Sequence, residues 1–374
     1  MNSRLNRAMH EALSLVRQSN LIEATATIHA ALSGRSPKEA DQVLKSNLIS
    51  APSGGSLHKV ELMVPTSTVG AASSYRQKEV TKSVLTKAPH SPVLGGSFMS
   101  RIFPHVERNL SFMLYEPSHN FGHERSLIIM LHGCTQNPRD FALGTQMNAL
   151  AEEFNLIVAY PLQPITANSS GCWNWFDARH QKPGSGEPAM LADLSENLRS
   201  EFNISERRVF AAGLSAGGAM AEILASTYPH LFAAVGLHSA VPYGAATSLS
   251  NALNAMKGTS KLERAPIKRD EIGSRRIIFH GSSDTTVHPA NGERIANQTR
   301  RNSSRLTETA YTNHVNGREV TRIILDDESG TPVIERWIIS GGGHAWFGGN
   351  GQGSYTDEKG PNASREMVRF FLHT

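Results

Sequence analysis

The chain has 374 residues, 39% of them apolar and 19% charged, enough to build a large buried core. Its formal net charge of +4 is unevenly placed, with 11 Lys and Arg against 6 Asp and Glu in residues 1–100, and 26 against 27 in residues 101–374. No dense basic run interleaves with aromatics and no apolar stretch reaches membrane-spanning length, which argues against a nucleic-acid binder and a membrane-spanning protein.

The first seven residues carry charge, as a signal peptide would. Glu11, Arg17 and Gln18 then interrupt the place of its apolar core, so the start is read as lacking such a signal, which favours a cytoplasmic protein. Leu5, Met9, Leu13 and Val16 recur at helical spacing, and so do Leu21, Ala24, Ile28 and Ala31 beyond a polar break. This predicts a short helical hairpin over residues 1–34, accessory or oligomer-forming, with a basic membrane-surface helix as the alternative. Residues 35–95 are rich in Ser, Thr, Pro, Gly and Lys and read as a partly disordered linker. Within it, residues 59–64 alternate as an isolated strand would.

Order returns at 96 and defines a catalytic domain over residues 96–374. Residues 98–103 and 110–115 predict an antiparallel start. Residues 126–132 form a continuous apolar run, as expected of a strand buried on both faces. A helix (139–153), a strand (156–160), a helix (188–202) and a strand (208–212) follow, then strands at 233–237 and 276–280. Residues 243–272 carry little apolar content and are read as a lid or cap. Late strands (320–326 and 333–339) and a closing helix (361–372) complete an α/β pattern, a doubly wound, mostly parallel sheet.

The strand at 208–212 runs into Gly213-Leu214-Ser215-Ala216-Gly217-Gly218, and a helix follows. Strand, Gly-x-Ser-x-Gly and helix together spell a nucleophile elbow. The serine occupies a sharp turn, so its neighbours must be small. Its hydroxyl then stands at a helix N-terminus, where N–H groups favour negative charge. After the strand at 276–280, a small-residue turn delivers Asp284, suited to orient a histidine. The other reading of Asp284 is a turn cap. After the strand at 333–339, Gly341-Gly342-Gly343 precede His344. The order Ser, Asp, His, each past a strand, is the one this elbow uses. His132, His238 and His280 also stand at strand ends and are assigned packing or loop-tying roles. No metal-binding spacing is present, and no metal or cofactor is expected.

An oxyanion needs two N–H donors. Ala216, directly after the serine, supplies one, and the backbone of Cys134 in the loop after 126–132 is the candidate for the other. The chain's two cysteines are Cys134 and Cys172. They either bridge, fastening an aromatic loop to the site and implying an oxidising compartment, or are unrelated buried thiols. Trp173 and Trp175 in that loop are candidate substrate-binding walls, with at least one expected to face the cleft.

With these residues assembled, the chain resembles the polyhydroxybutyrate-depolymerase-type esterases, a family of α/β-hydrolases, over roughly residues 96–374. The resemblance rests on Leu131-His132-Gly133-Cys134-Thr135-Gln136, Cys172-Trp173-Asn174-Trp175-Phe176, the elbow, His280-Gly281-Ser282-Ser283-Asp284 and Gly343-His344. It implies a Ser215–His344–Asp284 triad, an oxyanion loop at Cys134, a Cys134–Cys172 bridge and hydrolysis of carboxylic esters of short hydroxyalkanoate or feruloyl type. Many members are secreted, which together with a bridge favours an extracellular or periplasmic place. A serine peptidase of similar fold would need an amine-recognising acidic cluster. An inactive binding module would have lost a triad member.

Overall fold

The computed structural model describes residues 95–118, 124–260, 273–300 and 305–373. The hairpin expected at 1–34 and the linker to residue 94, with its strand at 59–64, lie outside the described residues. So do residues 261–272 of the expected lid.

Among the described residues the main sheet has ten strands, in the order β1-β2-β4-β3-β5-β6-β7-β10-β9-β8. The antiparallel start is β1 (Ser97–Phe103) against β2 (Leu110–Glu116). The centre is parallel: β4 (Leu156–Pro161), β3 (Ser126–Leu131), β5 (Val209–Leu214), β6 (Ala234–His238), β7 (Arg275–Gly281) and β10 (Pro332–Ile339). Beyond it, β9 (Arg318–Asp326) and β8 (Thr307–Val315) run antiparallel. Every residue of β3, β4, β5 and β6 is buried, as their uninterrupted apolar sequences require.

Successive strand residues feed two cores. Leu127, Ile129 and Val209 pack with Met190 and Leu194 of α3 (Gly186–Glu201) and Met220 and Leu224 of α4 (Ala216–Thr227). Ile128, Met130 and Phe210 pack on the other face with α1 (Pro138–Thr145), α2 (Met147–Phe154) and α7 (Ala363–Leu372). Helices on both faces of a mostly parallel sheet give the α/β-hydrolase architecture expected from the sequence. No helix among the described residues is long and apolar enough to cross a membrane.

Several elements differ from expectation. The helix read at 139–153 is two, because Gln146 takes a left-handed φ of 53° and ends α1. Inside the expected lid stands α5 (Leu249–Met256), whose Ala252 and Ala255 are buried in the core. Neither α6 (Ala290–Arg300) nor β8 was expected. The first has few apolar residues, and the second is an exposed edge strand that buries no continuous face. A two-stranded piece, β11 (Trp346–Phe347) with β12 (Thr356–Asp357), follows His344.

Candidate active site

The parallel strands carry the candidate residues to one end of the sheet. Ser215 follows β5 directly and has φ 57° and ψ −117°, off the regions ordinary residues occupy. That turn is possible only because Gly213 and Gly217, two residues to either side, lack side chains. A Cβ on Gly217 would lie 2.0 Å from the Leu131 carbonyl oxygen, and one on Gly213 would lie 2.4 Å from the Gly217 carbonyl carbon. Helix α4 therefore starts pressed against the ends of β5 and β3. The Ser215 N–H donates to the His238 carbonyl at 2.9 Å, pinning the elbow to β6. The Ser215 hydroxyl makes no hydrogen bond to a described residue, so the structure does not join it to His344.

Asp284 and His344 do meet. His344 Nδ1 lies 2.8 Å from Asp284 Oδ2. The turn after β7 and the loop after β10 are built together to allow this. Ser283 N–H donates to the Gly342 carbonyl at 2.9 Å, and Gly341 N–H donates to Ser282 Oγ at 2.9 Å. The other carboxylate oxygen, Oδ1, accepts the N–H groups of Thr286 (2.9 Å) and Val287 (2.8 Å). Asp284 thus caps its own turn and holds a histidine at once. Burial pushes this carboxyl up. The hydrogen bonds from His280, His344 and the Val287 N–H outweigh burial and hold it well below the usual carboxylate range.

The three remaining strand-end histidines tie loops. His132 Nε2 accepts the Gln163 N–H at 3.2 Å, which leaves its Nδ1–H to donate to the Gly133 carbonyl at 2.8 Å. Burial lowers its basicity. His238 Nε2 accepts the Phe347 N–H at 3.2 Å, and the ring stacks on Trp346. Burial, then the nearby His280 and His344, keep His238 neutral far below the usual histidine range. His280 Nε2 donates to the Val287 carbonyl at 2.8 Å and lies 3.4 Å from Asp284 Oδ2.

The loop after β3 sits against the elbow, since a Cβ on Gly133 would be 3.7 Å from Ser215 Cβ. Its Gly133 N–H is occupied by Gln136 Oε1 at 2.9 Å. The N–H groups of Cys134 and Ala216 donate to no other described residue. Cys134 is bridged to Cys172.

Trp173 and Trp175 do not present a wall to solvent. Trp173 is 0% exposed and Trp175 7%, and both lie in the core cluster under α3 and α4. The expectation that one faces the cleft is corrected, because the loop's polar groups are met from beneath. Buried Glu187 accepts the Asn174 N–H and Nδ2–H, each at 2.7 Å, and Gln163 Nε2 bridges Glu187 to the Cys172 carbonyl. This draws the aromatic pair inward. Among the described residues, no group of three or more His, Cys, Asp or Glu is placed to hold a metal ion.

An exposed aromatic beside the loop after β3 is Tyr355, which the sequence did not single out. Its hydroxyl is 3.2 Å from Thr135 Oγ1.

Comparison with known proteins agrees with this architecture. The family described as esterase PHB depolymerase matches residues 110–321. The chain is 30% identical over 229 residues to poly(3-hydroxyalkanoate) depolymerase C of Paucimonas lemoignei, covering 58% of this chain and 54% of that protein. It is 31% identical over 193 residues to acetylxylan esterase A of Talaromyces purpureogenus, covering 48% and 50%. The match thus spans about half the length of these curated relatives. Among solved structures, the acetyl xylan esterase from Aspergillus awamori superposes with a TM-score of 0.58 at 20% identity, over 75% of this chain and 100% of that one. At that identity the likeness shows the fold.

Proposed function

This chain belongs to the esterase family of polyhydroxybutyrate depolymerases, and we propose that it is a serine carboxylesterase working through Ser215, His344 and Asp284. The observation that carries the reading is the 2.8 Å contact between His344 Nδ1 and Asp284 Oδ2. With Nδ1–H donated to the carboxylate, Nε2 carries a lone pair and can take a proton. In the reaction, Ser215 Oγ bonds to the ester carbonyl carbon as its proton passes to His344 Nε2. The oxyanion is met by the free N–H groups of Cys134 and Ala216, each such donor contributing about 3 kcal/mol to the transition state. His344 returns the proton to the departing alcohol, leaving an acyl-Ser215. Water, deprotonated by the same nitrogen, releases the acid. The serine–histidine hydrogen bond forms as substrate closes the site, a contact often loose in empty esterases.

Short hydroxyalkanoate esters and feruloyl-type esters are the proposed substrates, supported by the likeness to a hydroxyalkanoate depolymerase and to acetylxylan esterases. The test is labelling by a fluorophosphonate together with hydrolysis of p-nitrophenyl butyrate. Wild type is expected to do both and Ser215→Ala neither, with its thermal unfolding nearly unchanged. Retained hydrolysis in Ser215→Ala removes the mechanism.

A further inference from the structure

The proposed oxyanion loop meets a second loop through two exposed side chains, Thr135 Oγ1 and Tyr355 OH, 3.2 Å apart. Both residues hold left-handed backbone, Thr135 at φ 64° and Tyr355 at φ 52°. This conformation is strained for a β-branched or aromatic side chain, and such strain persists only where the surroundings impose it. Here they do. Asp140 accepts the Ser354 N–H at 2.9 Å, and Gln136 Nε2 donates to the Ser354 carbonyl at 3.0 Å. The Tyr355 carbonyl accepts the Trp346 N–H at 2.7 Å, two residues past His344. Tyr355 is therefore clamped between the oxyanion loop and the histidine loop, with its side chain 44% exposed.

The direction of the hydrogen bonds decides what this phenol can do. Thr135 has one hydroxyl proton and directs it to the Cys134 carbonyl at 2.6 Å. Thr135 Oγ1 is then an acceptor towards Tyr355, and the Tyr355 proton is already committed. What remains on the phenol is an acceptor oxygen on an exposed aromatic ring. Resting on the esterase reading above, we infer that Tyr355 is a specificity-determining residue whose oxygen accepts a hydrogen bond from a hydroxyl group carried by the ester. That hydroxyl stands either on the acid, as in a hydroxyacyl ester, or on the alcohol, as in a partly esterified polyol.

Two matched pairs of esters test this. Methyl 3-hydroxybutyrate against methyl butyrate probes the acid side, and 2-hydroxyethyl acetate against propyl acetate probes the alcohol side. The reading is the ratio of kcat/KM within each pair, for wild type and Tyr355→Phe. The phenylalanine keeps the ring and removes the oxygen. Wild type is expected to favour the hydroxylated ester in one pair, and Tyr355→Phe to lower that ratio about 3- to 10-fold, the scale of one neutral hydrogen bond. The pair that responds locates the hydroxyl. A merely structural tyrosine would lower both members of a pair together and leave the ratio alone. Unchanged ratios in both pairs, with wild-type turnover intact, overturn the inference and leave the esterase standing. No turnover of any of the four esters overturns both.

Discussion

Cys134 and Cys172 are joined by a disulfide across 38 residues, their Cα atoms 4.2 Å apart, so the proposed oxyanion donor is covalently tied to the loop that leads into the buried Trp173. The Thr135 N–H also donates to the Ser170 carbonyl at 2.8 Å, so a backbone hydrogen bond stands beside the bridge. Closing a loop of this length contributes about 4 kcal/mol by chain entropy. The double variant Cys134→Ser, Cys172→Ser is expected to unfold about 10 °C lower in a calorimetric scan. Its kcat is expected to fall, because the Cys134 N–H is no longer fixed against the elbow. Unchanged kcat with a lowered Tm would mean that the bridge stabilises the fold without positioning the donor.

Asp284 gives a prediction with a sign. Its carboxyl titrates lower in the folded protein than in the unfolded chain, where it sits near the ordinary value of about 3.9. The charged form therefore stabilises the fold in full above about pH 5, and this contribution drains away as pH falls towards the folded value. Asp284→Asn is expected to lose about 10⁴-fold in kcat, by the loss of the His344 tautomer. The stability gap between wild type and Asp284→Asn, read from urea melts, is expected to be widest near neutral pH and to narrow below about pH 4. A gap that widens on acidification would contradict the hydrogen-bonded carboxylate.

The parts of this molecule that the sequence makes legible are those decided by local chemistry. β3 and β5 are apolar on both faces, and the glycines around Ser215 have no alternative once helix and strand press together. Asp284 and His344 follow from chain order, each one turn or loop past a strand. Tyr355 is illegible for the opposite reason. It sits in a glycine-rich run without periodicity, and its position is set by Asp140 and Gln136, more than 200 residues earlier. Glu187 is hidden in a similar way. An acid in the first turn of α3 reads as a solvated charge favoured by the helix dipole, yet it is 3% exposed and turns the aromatic loop inward. The same inward turn makes the tryptophans core residues.

Glu187 is therefore expected to matter for folding more than its place in a helix suggests. Its carboxylate oxygens take the Asn174 N–H, the Asn174 Nδ2–H and the Gln163 Nε2–H, and its own N–H donates to His180 Nδ1 at 2.8 Å. Glu187→Leu takes the acceptor from one buried and two half-buried donors, and is expected to cost about 3 kcal/mol in urea unfolding. Glu187→Gln keeps one acceptor oxygen and is expected to cost less. Equal and small effects of the two would mean that the loop finds other acceptors.

The glycines around the site divide into those that space forbids changing and one that it does not. A Cβ at Gly217 would lie 2.0 Å from the Leu131 carbonyl oxygen and 2.6 Å from that of His132, both backbone atoms at the end of β3 and in the loop after it. Relief would require moving α4 away from β3, which breaks the packing that aims Ser215. At Gly343, beside His344, an added Cβ meets nothing within 4 Å, and its φ lies outside the left-handed region. Gly217→Ala is expected to be strongly destabilised, by more than the roughly 1–3 kcal/mol typical of overpacking, because the neighbour is backbone. Gly343→Ala is expected to melt within about 2 °C of wild type, since a substitution into open space lies within about 0.5 kcal/mol. Comparable melting of the two variants would show that the elbow is not held by the contact between α4 and the end of β3.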